Sequence, residues 1–153
     1  MKIQIFVVDS YEKTLLRLIV VLYSFFAVAP IYAETIFQCT TKNNKVIKVV
    51  DADKSIQYSF GKSLKTPEIA LSIPRNKVTT YQWAGIGRDE NYSIQIPNGK
   101  IVYDVFHSFD RSTRKNSAGI NVMQEDEQLA TVSCDMHKPI INKLEGIKLR
   151  SEF

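Results

Sequence analysis

SIQIPNGKIVYDVF, from Ser93 to Phe106, places an Asn-Gly pair between two runs in which apolar and polar residues alternate. Asn-Gly tolerates the positive φ angles of a tight hairpin turn, and flanking alternation is the short-range pattern of a half-buried β-hairpin. With Asn98 and Gly99 as the two loop residues, Ile96 is expected to face Ile101, Ile94 to face Tyr103, and Tyr92 to face Val105. These three apolar pairs share one face. Gln95 with Val102 and Ser93 with Asp104 make a mixed face on the other side. A slip of one residue would turn every apolar side chain outward, so the apolar pattern opposes it.

The same pattern repeats outward from this hairpin. ETIFQCT from Glu34 alternates at Ile36 and Gln38, and VIKVV returns after the turn former Asn43-Asn44. SIQYSF puts Ile56, Tyr58 and Phe60 on one side, and EIALSIP does the same with Ile69, Leu71 and Ile73 before Pro74 stops the run. TTYQWAGIG, AGINVMQ and LATVSC complete the series. Turns recur about every ten residues and helical periodicity is scarce. The expectation is an all-β fold, an antiparallel sandwich or small barrel of about eight strands. In PIINKLEGIKLR, from Pro139, Ile140, Ile141 and Leu144 fit a helical turn that Gly146 weakens, so a short C-terminal helix or irregular tail is expected.

Residues 1–33 have a different character. Lys13 and Arg17 precede the apolar run LIVVLYSFFAVA, Pro30 breaks it, and Ala33 supplies a small residue before Glu34. Charge, apolar core, breaker and small residue predict a secretory signal peptide. The run is about a dozen residues, short of the ~20 needed to span a bilayer. The expected arrangement is therefore a signal peptide over 1–33 and one β domain over 34–153, periplasmic or secreted, with no membrane span after cleavage. Cys39 and Cys134 lie near the two ends of that domain, and an even cysteine count in an exported chain predicts a disulfide. Closing so long a loop contributes about 4–5 kcal/mol in the loop-entropy model.

The charge pattern narrows the function. Without Lys2, Lys13, Arg17, Asp9 and Glu12, 17 basic and 14 acidic side chains remain, a net charge of +3. They are interspersed, as in GRDE and DRSTRK, whereas nucleic-acid binders concentrate basic residues on one face. Gly85 and Gly87 in WAGIGRDEN raise the question of a phosphate cradle. Such a cradle needs a following helix N-terminus, and here Arg88, Asp89, Glu90 and a strand follow. No cofactor is expected. A metal site would have only His107 and His137 to add to the two cysteines.

The candidate binding residues are Trp83 just before the GIGRDEN turn, Arg88 and Asp89 within it, and Arg111 and Arg114 in the DRSTRKNS loop. Tryptophan and arginine dominate binding hot spots. The competing reading of Trp83 is a core filler on the strand that carries Tyr81. A catalytic alternative uses His107 with Asp104 or Asp110, as an envelope hydrolase; a third reading is a subunit of a surface assembly. The leading expectation is a non-catalytic domain that binds a protein partner in the cell envelope.

FQCTTKNNK, YSFGK, ALSIPR, YQWAGIGR and YSIQIPNG resemble a family of small exported proteins of Gram-negative bacteria, over nearly all of the chain after Ala33. That resemblance implies location and size rather than an activity. A more distant similarity is to the periplasmic inhibitors of c-type lysozyme. These are compact β-barrels that open on an aromatic-x-Cys segment, here Phe37-Gln38-Cys39, and have a partner cysteine late in the domain, as Cys134 is. Their Ser-Gly-x-x-Tyr loop has no counterpart here, so no inhibitory residue carries over.

Overall fold

Residues 32–125 and 127–151 are described by the structure, a computed structural model. The expected signal peptide lies outside the described residues except for Tyr32 and Ala33. Two sheets face each other in a sandwich-like all-β fold. The five-stranded sheet has the order β10-β1-β2-β3-β4, and the six-stranded sheet the order β11-β5-β6-β7-β8-β9. In chain order the strands are β1 (Glu34–Thr40), β2 (Val46–Asp51), β3 (Ser55–Gly61), β4 (Ile69–Pro74), β5 (Thr79–Gln82), β6 (Asp89–Asn98), β7 (Ile101–Asp110), β8 (Lys115–Gln124), β9 (Glu127–Ser133), β10 (Ile141–Asn142) and β11 (Arg150–Ser151). Among the described residues the one helical element is a three-residue 3₁₀ turn, Arg75–Lys77, which carries the chain from one sheet to the other.

Alternation predicted the buried faces. Ile47 and Val49 of β2, Ile56 and Tyr58 of β3, Ile94 and Ile96 of β6, Val105 of β7 and Ile120 of β8 make one apolar core between the sheets. Tyr58 and Tyr103 stack across it, ring centroids 5.1 Å apart, so the two sheets meet through aromatic contact as well as aliphatic packing. Burial away from water pushes the Tyr58 phenol pKa far up, with Tyr103 adding to the shift. In β1 the pairing with β2 shifts between Thr35 and Phe37, which lets the consecutive residues Ile36 and Phe37 both bury.

The central hairpin forms, with a corrected register. Asn98 pairs with Ile101, Ile96 with Tyr103, Gln95 with Asp104, Ile94 with Val105 and Tyr92 with His107. The loop residues are therefore Gly99 and Lys100 rather than Asn98 and Gly99. Gly99 has φ 62°, and Lys100 is not among the residues at positive φ. A glycine at the first of two loop positions suits a hairpin turn whose second residue has ordinary φ. The change moves each partner by two residues, so each side chain keeps its expected face.

The C-terminal segment forms no helix. Extended chain laces the two sheets together: β10 adds to the edge of β1, and β11 runs parallel to β5. Between them Leu144 is fully buried and Ile147 and Leu149 pack against the core, as does Ile140 just before β10. The Gln82 amide holds this stretch, donating to the Leu144 carbonyl at 3.0 Å and accepting from Gly146 N–H at 2.7 Å. Those bonds satisfy backbone groups that a helix would have satisfied internally. Cys39 of β1 and Cys134, just after β9, form the expected disulfide. A Thr41–Cys134 bridge and an Asp135 N–H bond to the Thr40 carbonyl join the sheets at the same corner.

Candidate functional site

The two loops singled out by the sequence lie side by side at one end of the six-stranded sheet. β6 and β7 pair along their whole length, so the end that holds Asp89 also holds Asp110. The segment before β6 and the turn after β7 therefore project together. Arg111 N–H donates to the Arg88 carbonyl at 3.1 Å, which fixes one loop to the other. The 110–113 turn is set by Asp110, whose Oδ1 accepts from Ser112 N–H at 2.8 Å and Thr113 N–H at 3.1 Å. Those bonds, Thr113's first, hold the Asp110 carboxyl below the usual carboxylate range, and Arg88 adds to the shift.

Trp83 is outside the core. β5 ends at Gln82, and the half-buried indole turns to the loop end, donating from Nε1 to the Ile86 carbonyl at 2.8 Å. This bond closes the glycine-containing turn, and no helix follows it, so the segment lacks the geometry of a phosphate cradle. The Arg111 guanidinium lies over the indole at 5.4 Å from the ring centroid, within cation–π range. Its Nε is 3.5 Å from Glu90 Oε1. Arg88 Nε lies 3.5 Å from Asp89 Oδ1 and 3.7 Å from Asp110 Oδ1, between two carboxylates that the register sets directly opposite each other. Such a like-charge pair is unfavourable unless a cation neutralises it. Ile86 stands at the tip, 85% exposed.

Trp83, Arg88, Asp89 and Arg111 thus form one connected group. Arg114 belongs to the same turn at φ 55° and is exposed, outside the ion pairs and ring contact that join the other four. Sequence reasoning passed over Ile86 and Glu90; a large apolar residue between two glycines was the signal for the first.

The catalytic alternative is not assembled. His107 shares the inward face of β7 with Tyr103 and Val105, whereas Asp104 and Asp110 are on the outward face, and no bulge interrupts the pairing of β7 on either side. Burial lowers the His107 pKa. Among the described residues no group of three or more His, Cys, Asp or Glu side chains is placed to hold a metal ion, and no helix is long and apolar enough to cross a membrane.

The outward face of the six-stranded sheet carries a second polar arrangement. Thr79, Gln95, Asp104, Asn121 and Thr131 stand opposite one another in successive strand pairs. Each is hydrogen-bonded to the next. No family model matches the chain, and no curated protein or solved structure matches it.

Proposed function

We propose that the protein is a non-catalytic binding domain of the periplasm or extracellular space that holds a protein partner, such as a cell-wall hydrolase or a toxin, through its loop end. The observation that carries this reading is the Arg111 guanidinium over Trp83 beside the exposed Ile86, at one end of the six-stranded sheet. Loops fixed on a β scaffold are the usual place for binding residues. An indole and a guanidinium already in contact lose little conformational freedom on binding, which favours affinity. The neighbouring ion pairs are exposed and long, so they are weak and exchange readily for a partner's charges.

Crosslinked capture from the envelope fraction of the native host, with the full chain as bait, tests the reading. The Arg88→Ala/Arg111→Ala double variant and Ile86→Asp should each lose the principal captured protein. Equal recovery of every captured protein by all three baits would show the loop end to be irrelevant.

A subunit of a surface assembly is the second reading, and β9 favours it. This seven-residue strand ends the six-stranded sheet with Leu129 exposed, and an open edge of that kind can pair with another strand. Concentration-dependent oligomers that disappear in Thr131→Pro would support it.

A further inference from the structure

We propose that the outward face of the six-stranded sheet is a binding site for a neutral oligosaccharide, independent of the loop end. Its floor is the row Thr79, Gln95, Asp104, Asn121 and Thr131, one residue from each of five adjacent strands. Hydrogen bonds tie each side chain of the row to the next. Thr79 Oγ1 donates to Gln95 Oε1 at 3.1 Å, and Gln95 Nε2 donates to Asp104 Oδ1 at 3.0 Å and to Ser93 Oγ at 2.8 Å. Asn121 Nδ2 donates to Asp104 Oδ2 at 3.2 Å, and Thr131 Oγ1 donates to Asn121 Oδ1 at 2.9 Å. The amide orientations follow from these partners.

What the row leaves unused identifies the ligand. Both hydrogens of Gln95 Nε2 are engaged. Asp104 keeps a lone pair on each oxygen, and Asn121 keeps one N–H directly beside it. An anion would meet the Asp104 carboxylate. A simple cation would satisfy Asp104 and leave the Asn121 N–H facing it. A hydroxyl donates and accepts at once, so adjacent hydroxyls can donate to Asp104 and accept from Asn121 together. A carboxylate acceptor strengthens such a bond.

The surroundings fit the same chemistry. The register puts Tyr81, Ser93 and Phe106 in the next row on one side, and Val102 and Met123 on the other. A polar stripe between aromatic and aliphatic flanks matches a pyranose, whose hydroxyl edges are polar and whose C–H faces pack on rings. The middle of the row, Gln95, Asp104 and Asn121, lines an open depression of about 460 Å³, with Tyr81 and Ser93 on one side and Val102 and Met123 on the other. Four interstrand steps make the row about 19 Å long, at ~4.8 Å per step. That length suits several sugar units bound end to end. The row's orientation is set before a ligand arrives, which limits the ordering cost of weak, exposed hydrogen bonds.

The test is titration of the full ¹⁵N-labelled chain with neutral tetrasaccharides of β-1,4-linked glucose, β-1,4-linked N-acetylglucosamine and α-1,4-linked glucose, alongside acidic oligogalacturonate. At least one neutral sugar should shift the side-chain amides of Gln95 and Asn121, and the acidic one should bind more weakly. Asp104→Ala should reduce the affinity about tenfold or more, the effect of losing a hydrogen bond to a charged group, and Asn121→Ala about two- to tenfold, the effect of losing one between neutral groups. Asp104→Asn, close in shape, serves the same purpose if Asp104→Ala does not fold. Arg111→Ala should leave saccharide binding unchanged, which separates this site from the loop end. The proposal is overturned if no neutral sugar of the set moves these amides in the millimolar range. It is also overturned if binding survives unchanged in folded Asp104 and Asn121 variants.

Discussion

The inward and outward faces of the six-stranded sheet are made by the same strands from alternate residues, yet different forces give them their shape. Inward, Ile94, Ile96, Val105 and Ile120 are buried and have no polar side-chain atom to orient. Their positions follow from close packing, which tolerates exchange among residues of similar volume. Outward, Gln95, Asp104 and Asn121 are part-buried and fixed by directional bonds to named partners. Packing supplies most of the stability, and the bonded row supplies a fixed pattern of donors and acceptors. A sheet of this design can therefore carry recognition on a face that contributes little to folding.

The largest effect expected from breaking this contrast comes from two neighbours on β6. Ile94→Ala, at a fully buried site, should cost about 2–5 kcal/mol through lost burial and the cavity left behind. Gln95→Ala, one residue along, should cost about 1 kcal/mol, the usual net worth of a part-exposed hydrogen-bond set. Urea denaturation monitored by circular dichroism measures both. Similar values for the pair would mean that the outward row is also structural.

His107 sharpens the contrast through pH. It stands on the inward face, and burial lowers its pKa from the ordinary 6.5. The unfolded chain therefore takes up this proton at a higher pH than the folded chain does. Stability associated with neutral His107 is complete above about pH 7. It declines as pH falls through 6.5 and levels off below the folded-state value. Asp110 acts in the same direction at a lower pH, because its pKa is lowered from 3.8. Thermal melts from pH 7.5 to 5 should show a decline in Tm that His107→Gln removes. A decline that persists in His107→Gln would assign it to other groups.

How much of this was legible in the chain itself turns on what alternation can encode. It specifies which side chains share a face, and Ile56, Tyr58, Ile94 and Val105 all bury on the faces expected of them. It cannot distinguish registers two residues apart, since these keep every face unchanged. The turn makes that choice, and Gly99 taking the first loop position moved the hairpin by two. The shift has a consequence for the outward row. In the expected register Asp104 faces Ser93; in the structure it faces Gln95 and bonds to it. The row depends on four such registers at once, so it could not be seen before the strands were paired. The loop end was more accessible, because a two-strand hairpin necessarily brings its open ends together. Trp83 lies outside the core because it follows the side of Tyr81, which the pairing of β5 with β6 puts on the outward face, and the Ile86 carbonyl captures the indole N–H. The C-terminal apolar residues imitated a helical turn because extended chain that crosses between two sheets also buries residues at irregular spacing.

The smallest effect on stability is expected at the loop end, where the contacts are exposed and each is worth little. Arg111→Lys keeps the charge near Glu90 but replaces a planar guanidinium over Trp83 with a compact ammonium on a flexible stem. An exposed cation–π contact is worth about 0.5–1 kcal/mol, so the loss of stability should stay below ~1 kcal/mol. The optical effect should be larger. Trp83 is the chain's only tryptophan, so indole emission reports this tip alone. Removing the planar cover should expose the ring and move its emission to longer wavelength, with the far-ultraviolet circular dichroism unchanged. An emission maximum identical to that of the unmodified protein would mean that the Nε1 bond to Ile86 alone sets the environment of Trp83. In that case the tip would be rigid without Arg111, and the arginine would be available to a partner from the start.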